Sequence, residues 1–198
     1  MSFDLLLAVS AYAFVTSITP GPNNAMLLAS GVNFGFRRSI PHVLGIAIGF
    51  SVMVLAVGLG LGAVFAAVPA LHSVLQGAGM LFLLYLAFNI ARSGGGGSAG
   101  GRPRPMSFLQ GALFQWVNPK AWIMALGAVT TYAAKTGSVT DMLGIAALFA
   151  VINAPCVAIW AWMGRVLRDR LADPVRRRAF NVCMAALLVA SLVPLLTG

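Results

Sequence analysis

The apolar run over residues 5–34 is too long for one straight membrane helix, and Thr19-Pro20-Gly21-Pro22-Asn23-Asn24 interrupts it. Each proline lacks a backbone donor and crowds the turn before it, so two prolines around a glycine end one helix and start another. In a bilayer the freed backbone groups find no water and must be satisfied within the protein or in a water-lined cavity. The run therefore predicts two half-helices, 5–18 and 23–34, and marks their junction as a candidate site.

The solvent is read from charge and hydropathy. Of 198 residues, 60% are hydrophobic and 9% charged, where soluble domains carry roughly 25% charged residues. Mean hydropathy is +0.91. A span takes about 20 apolar residues, and six candidate runs occur at 5–34, 41–67, 73–91, 107–133, 141–163 and 179–197. Membrane lipid is thus the expected surrounding.

The basic residues, 13 Lys and Arg against 4 Asp and Glu, would suggest nucleic acid in a soluble chain. Here they fall between apolar runs, so no nucleic-acid partner is expected. Arg37 and Arg38 follow the first run, Arg92, Arg102 and Arg104 the third, and six arginines from Arg165 to Arg178 the fifth. Only Lys135 lies in an even-numbered connection. The positive-inside rule puts the odd connections in the cytoplasm and both termini in the periplasm. Met1-Ser2-Phe3-Asp4 lacks a basic leader, so the first run is expected to stay in the mature protein.

The glycine-rich stretch Gly94–Gly101 reads as a flexible linker. It lacks the G-K-[ST] ending of a phosphate-binding loop. It divides the chain into an N-terminal repeat at 1–93, a cytoplasmic linker at 94–105 and a C-terminal repeat at 106–198. Three spans per half force the second half to enter the membrane in the opposite sense. The second half has its own interruption, Asn118-Pro119-Lys120, inside the fourth run. The expected fold is an all-α membrane protein of six transmembrane helices, arranged as two inverted three-helix repeats with broken first and fourth helices. Such paired interruptions point to a transporter's binding site.

A helix restarting at a break offers unpaired N–H groups and the positive end of its dipole. Asn118 suits an N-cap and Pro119 the first helical position; on the other side Thr19 before Pro20, or Gly21 before Pro22, starts the half-helix. Asn23, Asn24 and Gln115 are candidates to read the remainder of a small polar ligand, and equally to satisfy freed backbone. Lys120 lies about 20 Å of helix from either end of its run, too far to reach the interface, and no acidic residue falls deep in any span. Its partner is therefore backbone carbonyl, water or the anionic group of a ligand. Asn153, two residues before Pro155, lines the cavity or links helices. The pairs Gly31/Gly35, Gly45/Gly49 and Gly58/Gly62 have the spacing that lets helices approach closely.

Catalysis has no support. There is no G-x-S-x-G, no H-E-x-x-H and no carboxylate pair. Cys156 and Cys183 form no C-x-x-C and read as packing residues. No cofactor or metal is expected. Two other function classes remain open from the residues: a thiol–disulfide electron carrier using the two cysteines, and a small-solute channel.

Thr19-Pro20-Gly21-Pro22-Asn23, Gly35-Phe36-Arg37-Arg38, Gly45-Ile46-Ala47-Ile48-Gly49, Tyr85-Leu86-Ala87-Phe88 and Asn118-Pro119-Lys120-Ala121 together resemble the LysE/RhtB family of bacterial amino-acid exporters. The tail, with Trp160, Gly164, Arg178-Ala179-Phe180-Asn181 and Met184-Ala185, is similar to the branch that exports cysteine-type and other small neutral amino acids. The resemblance implies a small amino-acid substrate and proton-driven efflux across the inner membrane; a homodimer is a possible assembly. Many relatives carry an acidic or polar residue just after the Gly45–Gly49 motif, where this chain has Phe50.

Overall fold

The computed structural model describes residues 1–93, 104–133 and 138–193, and every regular element among them is helical. The linker at Gly94–Gly101, with Arg102, and Lys135 lie outside the described residues. Helix α1 (Phe3–Ile18) starts at Ser2, whose hydroxyl accepts the Leu5 N–H at 3.3 Å, and α2 (Pro22–Phe34) starts at Gly21 with Pro22 in the first position. Their axes are bent by 55°. These are the two half-helices the proline pair predicts.

Gly35, with φ of 83°, turns the chain into α3 (Phe36–Ala56). That left-handed conformation favours glycine. α3 begins ahead of the apolar run at 41 and runs through Pro41. A π-type segment (Val57–Leu61) follows, broken at Gly60 with φ of 113°, then α4 (Gly62–Ala67) and α5 (Pro69–Arg92). In the second half α6 (Phe108–Phe114) opens with a capping box: the Ser107 hydroxyl accepts the Gln110 N–H, and the Gln110 side chain accepts the Ser107 N–H. One 3₁₀ turn (Gln115–Val117) separates it from α7 (Pro119–Ala128), and a π-type segment (Val129–Ala133) follows. α8 (Val139–Arg170) and α9 (Pro174–Ala190) complete the fold.

Among the described residues, three helices are long and apolar enough to cross a membrane: Phe36–Leu61, Ser73–Arg92 and Val139–Arg170. The bent α1–α2 pair makes a fourth span if counted as one. α6, α7 and α9, at 7, 10 and 17 residues, fall short of that length individually.

The fifth connection differs from the expected loop. With 32 residues, α8 is about 48 Å long, against roughly 30 Å of hydrocarbon. The apolar run ends near residue 163, whereas the helix continues through Arg165, Arg168 and Arg170. Only residues 171–173 separate it from α9, whose start is fixed by the Asp173 carboxylate accepting the Val175 and Arg176 N–H groups at 2.8 and 2.9 Å.

Small residues set the helix contacts. α2 crosses α8 where Gly31 meets Gly164: a Cβ on either would stand 2.9 Å from the other's Cα. α3 lies on α6, with Gly45 against the Phe108 backbone and Gly49 against Ala112. Both packings let backbones touch. A buried apolar cluster including Val9, Phe50, Met53, Met124 and Phe149 joins α1, α3, α7 and α8. Phe50 and Phe149 meet edge-to-face at 5.3 Å.

Candidate functional site

The end of α1 poses an accounting problem, since the last four carbonyls of a helix have no partner within it. Each finds one here. Val15 O accepts the Thr19 N–H at 3.3 Å, and Thr16 O the Thr19 hydroxyl at 3.0 Å. Ser17 O accepts the Asn24 amide at 2.9 Å, and Ile18 O the Trp160 indole at 3.2 Å. Thr19 O accepts both Asn24, at 2.7 Å, and Lys120 Nζ, at 2.8 Å. Pro20 O accepts Lys120 Nζ at 3.1 Å, and the Thr19 hydroxyl oxygen is 2.9 Å from the same ammonium.

Lys120 thus has three oxygens around an ammonium with three protons. Of carbonyl, water and ligand anion, the structure places it on carbonyls, at the negative end of α1. Its position is set by α7: Pro119 occupies the first turn, and the Asn118 side chain accepts the Lys120 N–H at 3.2 Å. The described ion pairs are Met1 N-terminus with Asp141, at 2.9 Å, and Arg165 with Asp169, at 3.7 Å. Lys120 has no acidic partner among the described residues.

The other side of the break is open. α2 begins at Gly21 with no side chain capping it, so the N–H groups of Asn23 and Asn24 present the positive end of its dipole. The Lys120 side chain lies over this end: a Cβ on Gly21 would fall 2.7 Å from Lys120 Cδ and 3.2 Å from Nζ. Asn23 and Gln115 exchange two amide hydrogen bonds, at 2.9 and 3.2 Å, and Gln115 also donates to Gly111 O at 2.8 Å.

A pocket opens at this junction. Seven of the ten expected residues line it: Gly21, Asn23, Asn24, Gln115, Asn118, Lys120 and Asn153. Thr19 stands outside the lining as the acceptor of Lys120, and Pro119 serves only to start α7. Pro22 faces an apolar groove across Gly21, shared with Pro20, Trp160, Met184 and Leu188. Asn153 donates to the Ser17 hydroxyl at 2.9 Å. The oxygens Asn24 Oδ1 and Asn153 Oδ1 are buried and have no partner among the described residues.

Thr16, Ser17 and Phe50 also line the pocket. The first two were visible as hydroxyls in the apolar run just before the break. Phe50, 1% exposed, closes the wall with an apolar ring. A second amide pair lies away from the pocket: Asn33 and Asn181 exchange bonds at 2.9 and 3.2 Å, and Asn181 also donates to Ser93 O. Cys156 is buried and Cys183 exposed, both as free thiols.

Long apolar helices around a broken, polar junction define a multi-span membrane protein with a polar pocket at the break. The chain belongs to the LysE-type translocator family, whose model matches residues 14–197. A cysteine/O-acetylserine efflux protein of Escherichia coli (strain K12) is 32% identical over 191 residues, covering 96% of this chain and 96% of the relative. The protein of the same description from Salmonella choleraesuis (strain SC-B67) is 31% identical over 187 residues, covering 93% and 94%. No solved structure matches.

Proposed function

We propose that this chain is a secondary transporter exporting small neutral amino acids, or derivatives such as O-acetylserine, across the bacterial inner membrane. Six spans form two inverted halves, 1–93 and 106–198, joined by a cytoplasmic linker at 94–105, with both termini periplasmic. The halves rock about the two broken helices and open the junction to each side in turn, with the proton gradient as the energy source. The substrate carboxylate sits at the open end of α2 beside Lys120, while Asn23, Asn24, Gln115, Asn118 and Asn153 shape the rest of the site.

One observation carries this reading. Lys120 is a cation at the junction of the broken helices, without an acidic counterpart and next to an uncapped helix N-terminus. Burying such a charge costs free energy that carbonyl dipoles offset only in part, so an arriving carboxylate completes the site. The names of the relatives support the substrate class.

The test is efflux of labelled L-cysteine, O-acetyl-L-serine, L-serine and L-alanine from loaded proteoliposomes, with and without a pH gradient. At least one is moved, faster with the gradient, and the corresponding amino amides neither move nor compete. Equal transport of acid and amide would refute the carboxylate site, and no flux of any member would refute the transport reading.

A further inference from the structure

Asn24 and Asn153 are each 3% exposed, and each carries an amide oxygen with no hydrogen-bond partner among the described residues. An unmade hydrogen bond on a buried acceptor is costly, so two in one pocket ask for an explanation. Both side chains are held by the same residue of α1: Asn24 Nδ2 donates to Ser17 O, and Asn153 Nδ2 to Ser17 Oγ. The orientation of Asn24 is fixed, because its NH₂ faces two carbonyls, Ser17 O and Thr19 O. A flipped amide would set oxygen against oxygen.

Three nearby donor groups are engaged. Lys120 spends its three protons on Thr19 and Pro20, Trp160 its indole N–H on Ile18, and the Gln115 amide is held by Gly111 and Asn23. No donor among the described residues reaches either oxygen. Resting on the transport reading above, the geometry points to Asn24 Oδ1 and Asn153 Oδ1 as the seat of the substrate's α-ammonium group.

The chemistry fits a zwitterion. An ammonium has three donors and no acceptor, which suits two neutral oxygens. Its carboxylate is one carbon away, and Asn24 offers both functions from one residue: a backbone N–H at the open end of α2 and a side-chain oxygen in the pocket. An amine without a carboxylate meets the Lys120 charge uncompensated. A 2-hydroxy acid has a single proton to offer the two oxygens and no positive charge. The pair thus selects for amino acids against both neighbouring chemical classes.

The test uses the whole chain in proteoliposomes. The labelled probe is the amino acid of the panel with the highest flux; the unlabelled competitors are the same amino acid, its 2-hydroxy-acid counterpart and its N-acetyl derivative. A site built to hydrogen-bond a group rejects analogues lacking it strongly, so both analogues should compete at least about a hundredfold more weakly than the free amino acid. Asn153→Leu narrows that gap about tenfold or more, whereas Asn153→Asp, which keeps an acceptor oxygen, preserves it. Competition by the 2-hydroxy acid equal to that of the amino acid, with flux of the probe intact, overturns the ammonium seat and leaves the transport reading standing. An unchanged gap in Asn153→Leu overturns the seat as well. Should Asn153→Leu fail to fold, the wild-type competition decides. Absence of flux for every panel member removes the transport reading and the seat with it.

Discussion

Lys120 Nζ stands 2.8 Å from the carbonyl oxygen of Thr19, a residue 101 positions earlier in the chain. One side chain thus ties the end of α1 to the start of α7, and so joins the two breaks that the sequence shows separately. The ammonium supplies donors to carbonyls that α1 cannot satisfy itself, and its stem lies against Gly21 at the start of α2. The positive group thus lies beside the uncapped start of α2.

Replacing this lysine separates its two duties. Lys120→Met removes hydrogen bonds from a charged donor, each worth about 1.5–3 kcal/mol, and leaves Pro20 O without its partner. Thr19 O keeps Asn24. A lower unfolding temperature in detergent and at least a hundredfold loss of vesicle flux are expected. Lys120→Arg keeps the charge, but a planar fork does not reproduce three oxygens around one nitrogen, so flux falls by about tenfold or more. A Lys120→Met protein with wild-type substrate affinity and flux would mean that the ammonium serves only as a helix clamp.

Gly21 is coupled to the lysine through space. Its φ of 178° is extended backbone open to any residue, so Gly21→Ala brings no conformational strain. The added Cβ instead meets Lys120 Cδ at 2.7 Å and pushes an anchored side chain off its oxygens. Flux should fall roughly tenfold, as for a positioning defect of a fraction of an ångström. In a Lys120→Met background the same substitution should have a much smaller effect. Equal losses in the two backgrounds would show that Gly21 matters for another reason.

The crossing of α2 and α8 is a stability matter. Gly31→Ala puts a Cβ 2.9 Å from Gly164 Cα and 2.9 Å from the Arg165 nitrogen, both backbone atoms that cannot step aside. Overpacking of this kind costs about 1–3 kcal/mol. Gly31→Ala and Gly164→Ala should each lower the temperature at which the detergent-solubilised protein loses its monodisperse peak. Because one displacement of α8 relieves both clashes, the double variant should lose less than the two single losses combined. Strict additivity would place the two clashes in separate contacts.

Much of this arrangement was legible in the sequence because proline and glycine act on their own backbone. Pro20 and Pro22 around Gly21 mark one helix break and Pro119 after Asn118 another, whereas the lone Pro41 and Pro155 lie inside α3 and α8. The pairing across the breaks was not legible. Lys120 faced three kinds of partner on paper, and only packing selects Thr19 and Pro20. Ser17, Trp160 and Asn181 carry no local signal: a serine, a tryptophan or an asparagine in a span is as easily a packing residue as a donor to a carbonyl on another helix. The length of α8 was hidden for a different reason. Hydropathy registers the apolar part of a helix, whereas α8 runs on through Arg165, Arg168 and Arg170 before Asp173 and Pro174 start α9.

The amide pair of Asn23 and Gln115 gives the last prediction. Reciprocal hydrogen bonds at 2.9 and 3.2 Å link α2 to the turn between α6 and α7, with Gln115 0% exposed. Removing one amide leaves its partner's donor and acceptor buried and unmade, at about 1–3 kcal/mol, while removing both with apolar groups of similar shape can be nearly neutral. If the pair serves structure alone, Asn23→Leu and Gln115→Leu should each destabilise, and Asn23→Leu/Gln115→Leu should recover most of the loss along with flux. If instead the amides exchange each other for substrate as the junction opens, the double variant regains thermal stability but not flux. The expected result is the second, because Asn23 stands at the uncapped start of α2, one residue from Asn24 and within the same pocket as Lys120. Recovery of both thermal stability and flux would assign the pair to holding α2 in place.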